Sequence, residues 1–164
     1  MRDRALAAAV VLVVLAALAA GWFGFSWLDA SRDGDVAYAR ERDTVLRLAG
    51  DGLATLHTVD HSSAERDVGR WLDVTAGELH RDLRADQDGQ VEQARETRAE
   101  STAKLVRAAV TDLDAHAGTA RVIAVLDVRL DRRDAKPDTD RRRMNANLAR
   151  GAQGWRIVSV EAAS

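Results

Sequence analysis

The segment from Ala5 to Phe25 constrains this chain more than any other: it runs for 21 residues without a charged side chain. As a helix rising about 1.5 Å per residue it forms a rod of roughly 30 Å, the thickness of the hydrocarbon layer of a bilayer. Eight of its residues are Val or Leu, each favouring insertion by about 0.3 to 0.6 kcal/mol. Trp22 and Trp27 stand at one end, where indole rings favour the headgroup layer, and Arg2 and Arg4 flank the other. The segment therefore reads as a single N-terminal transmembrane helix. Residues 1–28 form a cytoplasmic tip and anchor, and 29–164 an extracytoplasmic domain at the cell membrane. A cleaved secretory signal is the competing reading, because Ala17-Leu18-Ala19 resembles a small-residue cleavage site. The apolar run continues beyond that site through Trp22-Phe23-Gly24-Phe25, which an anchor needs and a signal does not. Arg2 and Arg4 favour a cytoplasmic amino terminus, while Arg32, Arg40 and Arg42 after the span weaken the asymmetry. Ala16, Ala20 and Gly24 recur every four residues and give the span a face that another membrane helix can approach closely.

Composition narrows the function classes. A formal net charge of −2 argues against a nucleic-acid binder, which carries a basic excess. The absence of cysteine removes disulfides, thiolate metal sites and cysteine nucleophiles together. Residues 29–164 carry 25 acidic and 22 basic side chains, interspersed rather than blocked, as on a folded surface.

Within that domain the hydrophobic period changes once. From Asp35 to about Thr58, Val45, Leu48, Ala49, Leu53 and Leu56 recur at helical spacing. Gly50 and Gly52 weaken this helix by up to about 1 kcal/mol each relative to Ala. Ser62-Ser63-Ala64-Glu65 and Thr75-Ala76-Gly77-Glu78 both have capping-box spacing and predict a second and a third helix. Residues 84–100 are very polar and read as a solvated helix or partly as loop. From Ser101 onward the period is two. Strands are expected over Leu105–Val110, Arg121–Leu130, Arg141–Leu148 and Trp155–Glu161. A turn falls at Asp114–Gly118, a polar loop with Pro137 over Asp131–Thr139, and a second turn at Gly151–Gly154. In the last strand, Val158 and Val160 are expected on one face, with Trp155 and Ile157 on the other. The sum is an α+β domain of about three helices (about 35–100) packed on a curved four-stranded antiparallel sheet (about 101–164), a cone-like layer arrangement.

Few residues suggest chemistry. His57, Asp60 and His61 have the i, i+3, i+4 spacing of a zinc site on a helix, but Thr58 stands where the metalloprotease signature requires Glu. His80 and His116 read as isolated surface residues. Arg141, Arg142 and Arg143, with Arg132 and Arg133 across the loop, form a candidate patch for a partner or for lipid headgroups. Asp131, Asp134, Asp138 and Asp140 dilute its field, and a strand alternates the faces of the three arginines. Trp155, opening a strand after a glycine turn, reads as a plug for the end of the core. No nucleophile–base pair, phosphate loop or paired carboxylates stand out, so the expectation is a protein without enzymatic activity, cofactor or metal.

Three segments together resemble the actinobacterial Mce-associated membrane proteins (Mce for mammalian cell entry). They are Leu53-Ala54-Thr55-Leu56-His57-Thr58-Val59-Asp60-His61, Val68 through Leu79, and the closing Gly154-Trp155-Arg156-Ile157-Val158-Ser159-Val160. Asp60-His61 stands in place of the family's aspartate-tyrosine pair, and Thr75-Ala76-Gly77 in place of its T-G element. The resemblance implies a nuclear-transport-factor-2-like cone-fold ectodomain, similar also to periplasmic domains of some secretion-system subunits. It implies a non-enzymatic accessory subunit of an Mce-type lipid import system, in contact with Mce transporter subunits, other Mce-associated proteins and the bilayer. The alternatives on the same scaffold are a lipid- or steroid-binding carrier domain and an assembly subunit of a secretion apparatus.

Overall fold

The computed structural model describes residues 34–98, 100–132 and 135–163. Contacts divide the chain into two units, Met1–Arg40 and Glu41–Ser164. Of the first, residues 34–40 are described and are helical, with Val36 and Tyr38 exposed. The expected span Ala5 to Phe25, with Ala16, Ala20 and Gly24, lies outside the described residues. No helix among the described residues is long and apolar enough to cross a membrane.

The second unit opens with the rest of that helical stretch, α1 (41–56). Val45, Ala49 and Leu53 lie four residues apart on one face of α1, and all three are fully buried. They pack on a five-stranded antiparallel sheet ordered β1 (Val59–Asp60), β2 (Glu100–Asp114), β3 (Thr119–Arg132), β4 (Ala135–Gly151) and β5 (Gly154–Ala162). The even-numbered residues of β3, from Ala120 to Val128, face α1 and form the centre of one core with Ala146, Leu148, Trp155 and Ile157. Burying a Leu, Ile or Val side chain of this kind stabilises by about 1.5 to 3 kcal/mol. A smaller core of Ala64, Val68, Val91 and Ala94 joins α2 (Ala64–Val74) to α4 (Gln87–Thr97). Helix α3 (Gly77–Ala85) lies between them in sequence and packs on β5.

Several expectations need correction. Among the described residues there are four helices rather than about three, because the polar stretch after residue 84 forms α4, which is held by Val91 and Ala94 alone on its buried face. The described strands number five rather than four; β1 has only two residues, too few to show a period. The loop expected over Asp131–Thr139 is mostly strand, with Arg129 paired to Thr139 and Leu130 to Asp138. Pro137 is tolerated there because β4 acquires its second neighbour only from Met144, opposite Ala162. Neither capping box forms. Ser63, not Ser62, precedes α2, and Ala76, not Thr75, precedes α3. The Thr75 hydroxyl donates instead to the carbonyl of Trp71, closing the preceding helix. Val160 shares the core face with Ile157, contrary to strict alternation, because Val158 is an extra residue between the Asn147–Ser159 and Leu148–Ile157 pairs.

Candidate functional site

The segment Leu53–His61, from which the resemblance starts, is the joint between α1, β1 and β2. The Thr58 hydroxyl donates to the Ala54 carbonyl at 2.8 Å and accepts from the Ala103 N–H at 3.2 Å. The Ser101 hydroxyl donates to the His57 carbonyl at 2.8 Å, and the Trp71 indole N–H donates to the Thr58 carbonyl at 3.1 Å. His57 Nδ1 lies 2.9 Å from the Leu53 carbonyl, one turn back. His61 lies 3.6 Å from Asp60. Among the described residues no group of three His, Asp or Glu side chains is placed to hold a metal ion, and the His57–Asp60–His61 spacing does not become a cluster. The reason is local: the chain leaves the helix before Asp60, whose carboxylate accepts from the Ser62 N–H at 2.8 Å and caps a turn over His61–Ser63. His80 is half-buried rather than a surface residue, with Nδ1 3.1 Å from the Leu72 carbonyl.

The charged residue most deeply placed in this joint is Asp67, which is 2% exposed. Its Oδ2 accepts from the Asp60 N–H at 2.9 Å and from the Ser63 hydroxyl at 3.0 Å, and its Oδ1 accepts from the Arg70 guanidinium. Burial alone would raise its pKa; the hydrogen bonds from Asp60, Arg70 and Ser63 together outweigh burial and hold the carboxyl below its ordinary value. An acid meant to transfer protons near neutrality is tuned the other way. The sequence signal for Asp67 was available: it is the lone acid on the stripe Ala64, Asp67, Val68, Trp71.

Next to the joint, at the far end of the β3–β4 hairpin, is an open cavity of about 900 Å³. Leu56, Val59, Trp71, Val128, Leu130 and Pro137 form its apolar wall, and His57, Ser101, Lys136, Asp138, Thr139, Asp140 and Arg142 its polar one. The volume is within the range of small-molecule sites. Four charged side chains, Lys136, Asp138, Asp140 and Arg142, share the wall with the apolar ones. The interior beneath it, between α1 and the sheet, is filled by Leu53, Leu126 and Leu148, each at most 2% exposed.

The three arginines of the expected patch divide between faces. Arg141 points outward and donates to Asp127 through two nitrogens, at 2.7 and 3.0 Å. This hydrogen bond lowers the pKa of Asp127. Arg143 is exposed on the same outer face, and Arg142 lines the cavity and donates to Asp140 at 3.0 Å. The side chains of Arg132 and Arg133 are outside those described. Trp155 plugs the core as expected, at 4% exposure. Its indole N–H donates to Glu41 at 2.7 Å, and the Arg150 guanidinium lies 5.6 Å from the ring centre while pairing with the same Glu41. The sequence gives no hint of this triad, whose members are 109 and 114 positions apart along the chain.

No family model matches the chain, and no curated protein does. Solved structures do match. An IcmL-like type IV secretion system protein from Legionella pneumophila superposes with a TM-score of 0.61 at 11% identity, over 74% of this chain and 91% of that one. The chain shares that fold. The periplasmic domain of DotI follows with a TM-score of 0.59 at 12% identity, over 73% and 92% of the two chains. VirB8 from Agrobacterium tumefaciens gives 0.55 at 10% identity, over 76% and 92%. At these identities the likeness concerns the fold alone: an α+β architecture with helices packed on an antiparallel sheet.

Proposed function

We propose that this chain is a non-enzymatic subunit of a multiprotein membrane assembly, with a domain outside the membrane that works by protein contact, as an assembly subunit of a secretion apparatus does. The observation that carries the reading is the fold held in common with three type IV secretion proteins, each covered over more than nine-tenths of its length. DotI is represented there by a periplasmic domain, which supports an extracytoplasmic position for the domain that follows Ala5–Phe25. The interior supports a structural role, since its buried carboxylate, Asp67, is fully engaged in joining β1 to α2. The Mce-associated reading is favoured by a different observation, the order of the Leu53–His61, Val68–Leu79 and Gly154–Val160 segments along the chain.

Purifying the tagged full chain from detergent-solubilised membranes, and identifying its companions by mass spectrometry, separates the two. Secretion channel subunits or a transport ATPase are expected under the main reading, and a permease with Mce proteins under the other. Recovery of the chain alone in repeated trials would overturn both.

A further inference from the structure

The outer face of the sheet, away from α1, carries side chains that the fold itself leaves unused. Strand register places Lys104 and Arg107 of β2, Arg121 and Arg129 of β3, and Arg141 and Arg143 of β4 on it. The carboxylates on the same face are Asp112, Asp127 and Glu161 toward its middle and Glu100, Asp114 and Asp131 toward its ends; with Arg156 of β5 the face carries seven cations and six carboxylates, a net charge of +1. At its centre lie Ala109, Val125 and the exposed Ile123 and Val106, the latter two 37% and 44% exposed. Lys104, Arg107 and Arg143 have no ion-pair or hydrogen-bond partner among the described residues. The domain as a whole is acidic, and the three unpaired cations Lys104, Arg107 and Arg143, close together across β2, β3 and β4, form a local basic cluster on this face.

The compensating charge is on the helices. Residues 77–97 carry six acidic and three basic side chains. Asp88, Glu92 and Glu96 recur every four residues along α4, all exposed and unpaired among the described residues. They are on the side of α4 turned away from Val91 and Ala94, which pack on α2. The stripe is about 12 Å long at 1.5 Å per residue. Arg107 and Arg143 flank Val125 from two strands apart, about 10 Å, and Arg141 and Arg143 are about 7 Å apart along one strand. The cluster and the stripe are opposite in charge and similar in length, and within one molecule α4 is held on α2 through Val91 and Ala94.

We propose that the occupant of the outer sheet face is a second copy of this chain, docked through the acidic stripe of its α4. The contact is heterologous, joining different patches, so each copy keeps one free patch and the association propagates to a ring or a row. Exposed ion pairs contribute little singly, and the contact is weak in free solution and strongly sensitive to salt. Confinement of copies to one membrane raises their effective concentration and favours it. The inference does not depend on which assembly the chain serves, and its failure would leave the proposed function standing.

Charge exchange tests it, with the full chain in detergent micelles and its mass followed by sedimentation. The wild type is expected to self-associate at about 0.02 M salt and to weaken at least tenfold by about 0.5 M. R107E/R143E and E92R/E96R should each be monomeric with unchanged melting temperature, since all four side chains are exposed. An equimolar mixture of the two variants should associate again, because acidic sheet then meets basic helix and basic sheet meets acidic helix. A monomeric wild type at low salt, variants that associate as it does, or a mixture that stays monomeric would each overturn the proposal. So would binding to phosphatidylglycerol vesicles that R107E/R143E abolishes while E92R/E96R leaves self-association intact, which would assign the face to anionic lipid.

Discussion

Asp67 shows how one side chain can carry a joint. The carboxylate is buried yet ionised, because three donors from three different positions converge on it, and one of them, the Asp60 N–H, belongs to the short edge strand β1. Its pKa is held below 3.8, the ordinary value for Asp. A carboxyl lowered on folding contributes stability that is complete above the unfolded pKa and is lost as pH falls through the folded one. Asp67→Asn keeps the shape but gives up the charge, and cannot satisfy all three donors. Losing one or two hydrogen bonds at a buried site costs about 1 to 3 kcal/mol. Urea unfolding above pH 5 is therefore expected to show the variant destabilised by that amount. The gap between variant and wild type should narrow as pH falls below about 3.8, where the wild-type carboxyl becomes protonated. Asp60 and Asp127 are shifted in the same direction, by the Ser62 N–H and by Arg141, so some acid sensitivity should remain in the variant. A gap that stays constant through the acid range would show that the Asp67 charge contributes nothing to the fold.

At the scale of elements, two glycines that look alike in sequence have opposite meanings. Gly52 and Gly69 both lie inside helices, where Ala is favoured by about 1 kcal/mol. A Cβ on Gly52 would lie 2.7 Å from Cδ1 of the buried Ile157, whereas one on Gly69 meets nothing within 4 Å. Overpacking of a filled core costs about 1 to 3 kcal/mol. Gly52→Ala is therefore expected to be destabilising on balance, by about 1 kcal/mol, and Gly69→Ala to stabilise by about 0.5 to 1 kcal/mol. Thermal unfolding of the two variants should shift in opposite directions; a stabilised Gly52→Ala would mean that α1 does not approach the sheet this closely. The same comparison shows what was legible beforehand. The helix over Val45–Leu56 and the strand over Arg121–Leu130 were readable, because each has a long run of one hydrophobic period and one buried face. The register was not. The extra residue at Val158 returns Val160 to the core, and a two-residue strand at Val59–Asp60 has no period to detect. The first capping box misled because Ser62 lies inside a turn that Asp60 caps, and the second because the Thr75 hydroxyl is taken by the Trp71 carbonyl. Of the surfaces, the alternation of Arg141, Arg142 and Arg143 was visible, but the cluster of unpaired cations on the outer face emerges only when β2 adds Lys104 and Arg107 within reach of Arg143.

For the whole molecule, the decisive quantity is the balance of insertion energy over Ala5–Phe25. The eight Val and Leu residues contribute about 2 to 5 kcal/mol in favour of the bilayer, and this apolar contribution is independent of pH. Attachment through surface charge behaves differently, because alkaline washing titrates lysines and histidines and displaces electrostatic partners. The full chain is therefore expected to stay in the membrane pellet after alkaline carbonate extraction. Placing two arginines at the centre of the run, as V13R/L15R, adds about 5 to 7 kcal/mol against insertion. That exceeds the favourable total, so this variant should leave the pellet, while the folded domain that begins at Glu41 is expected to keep its melting temperature, because both of its described cores are built from residues between Val45 and Val160. If instead the wild type were extracted as a shorter soluble protein, cleavage near Ala17-Leu18-Ala19 would be the correct account, and the domain would act free of the membrane rather than confined to it.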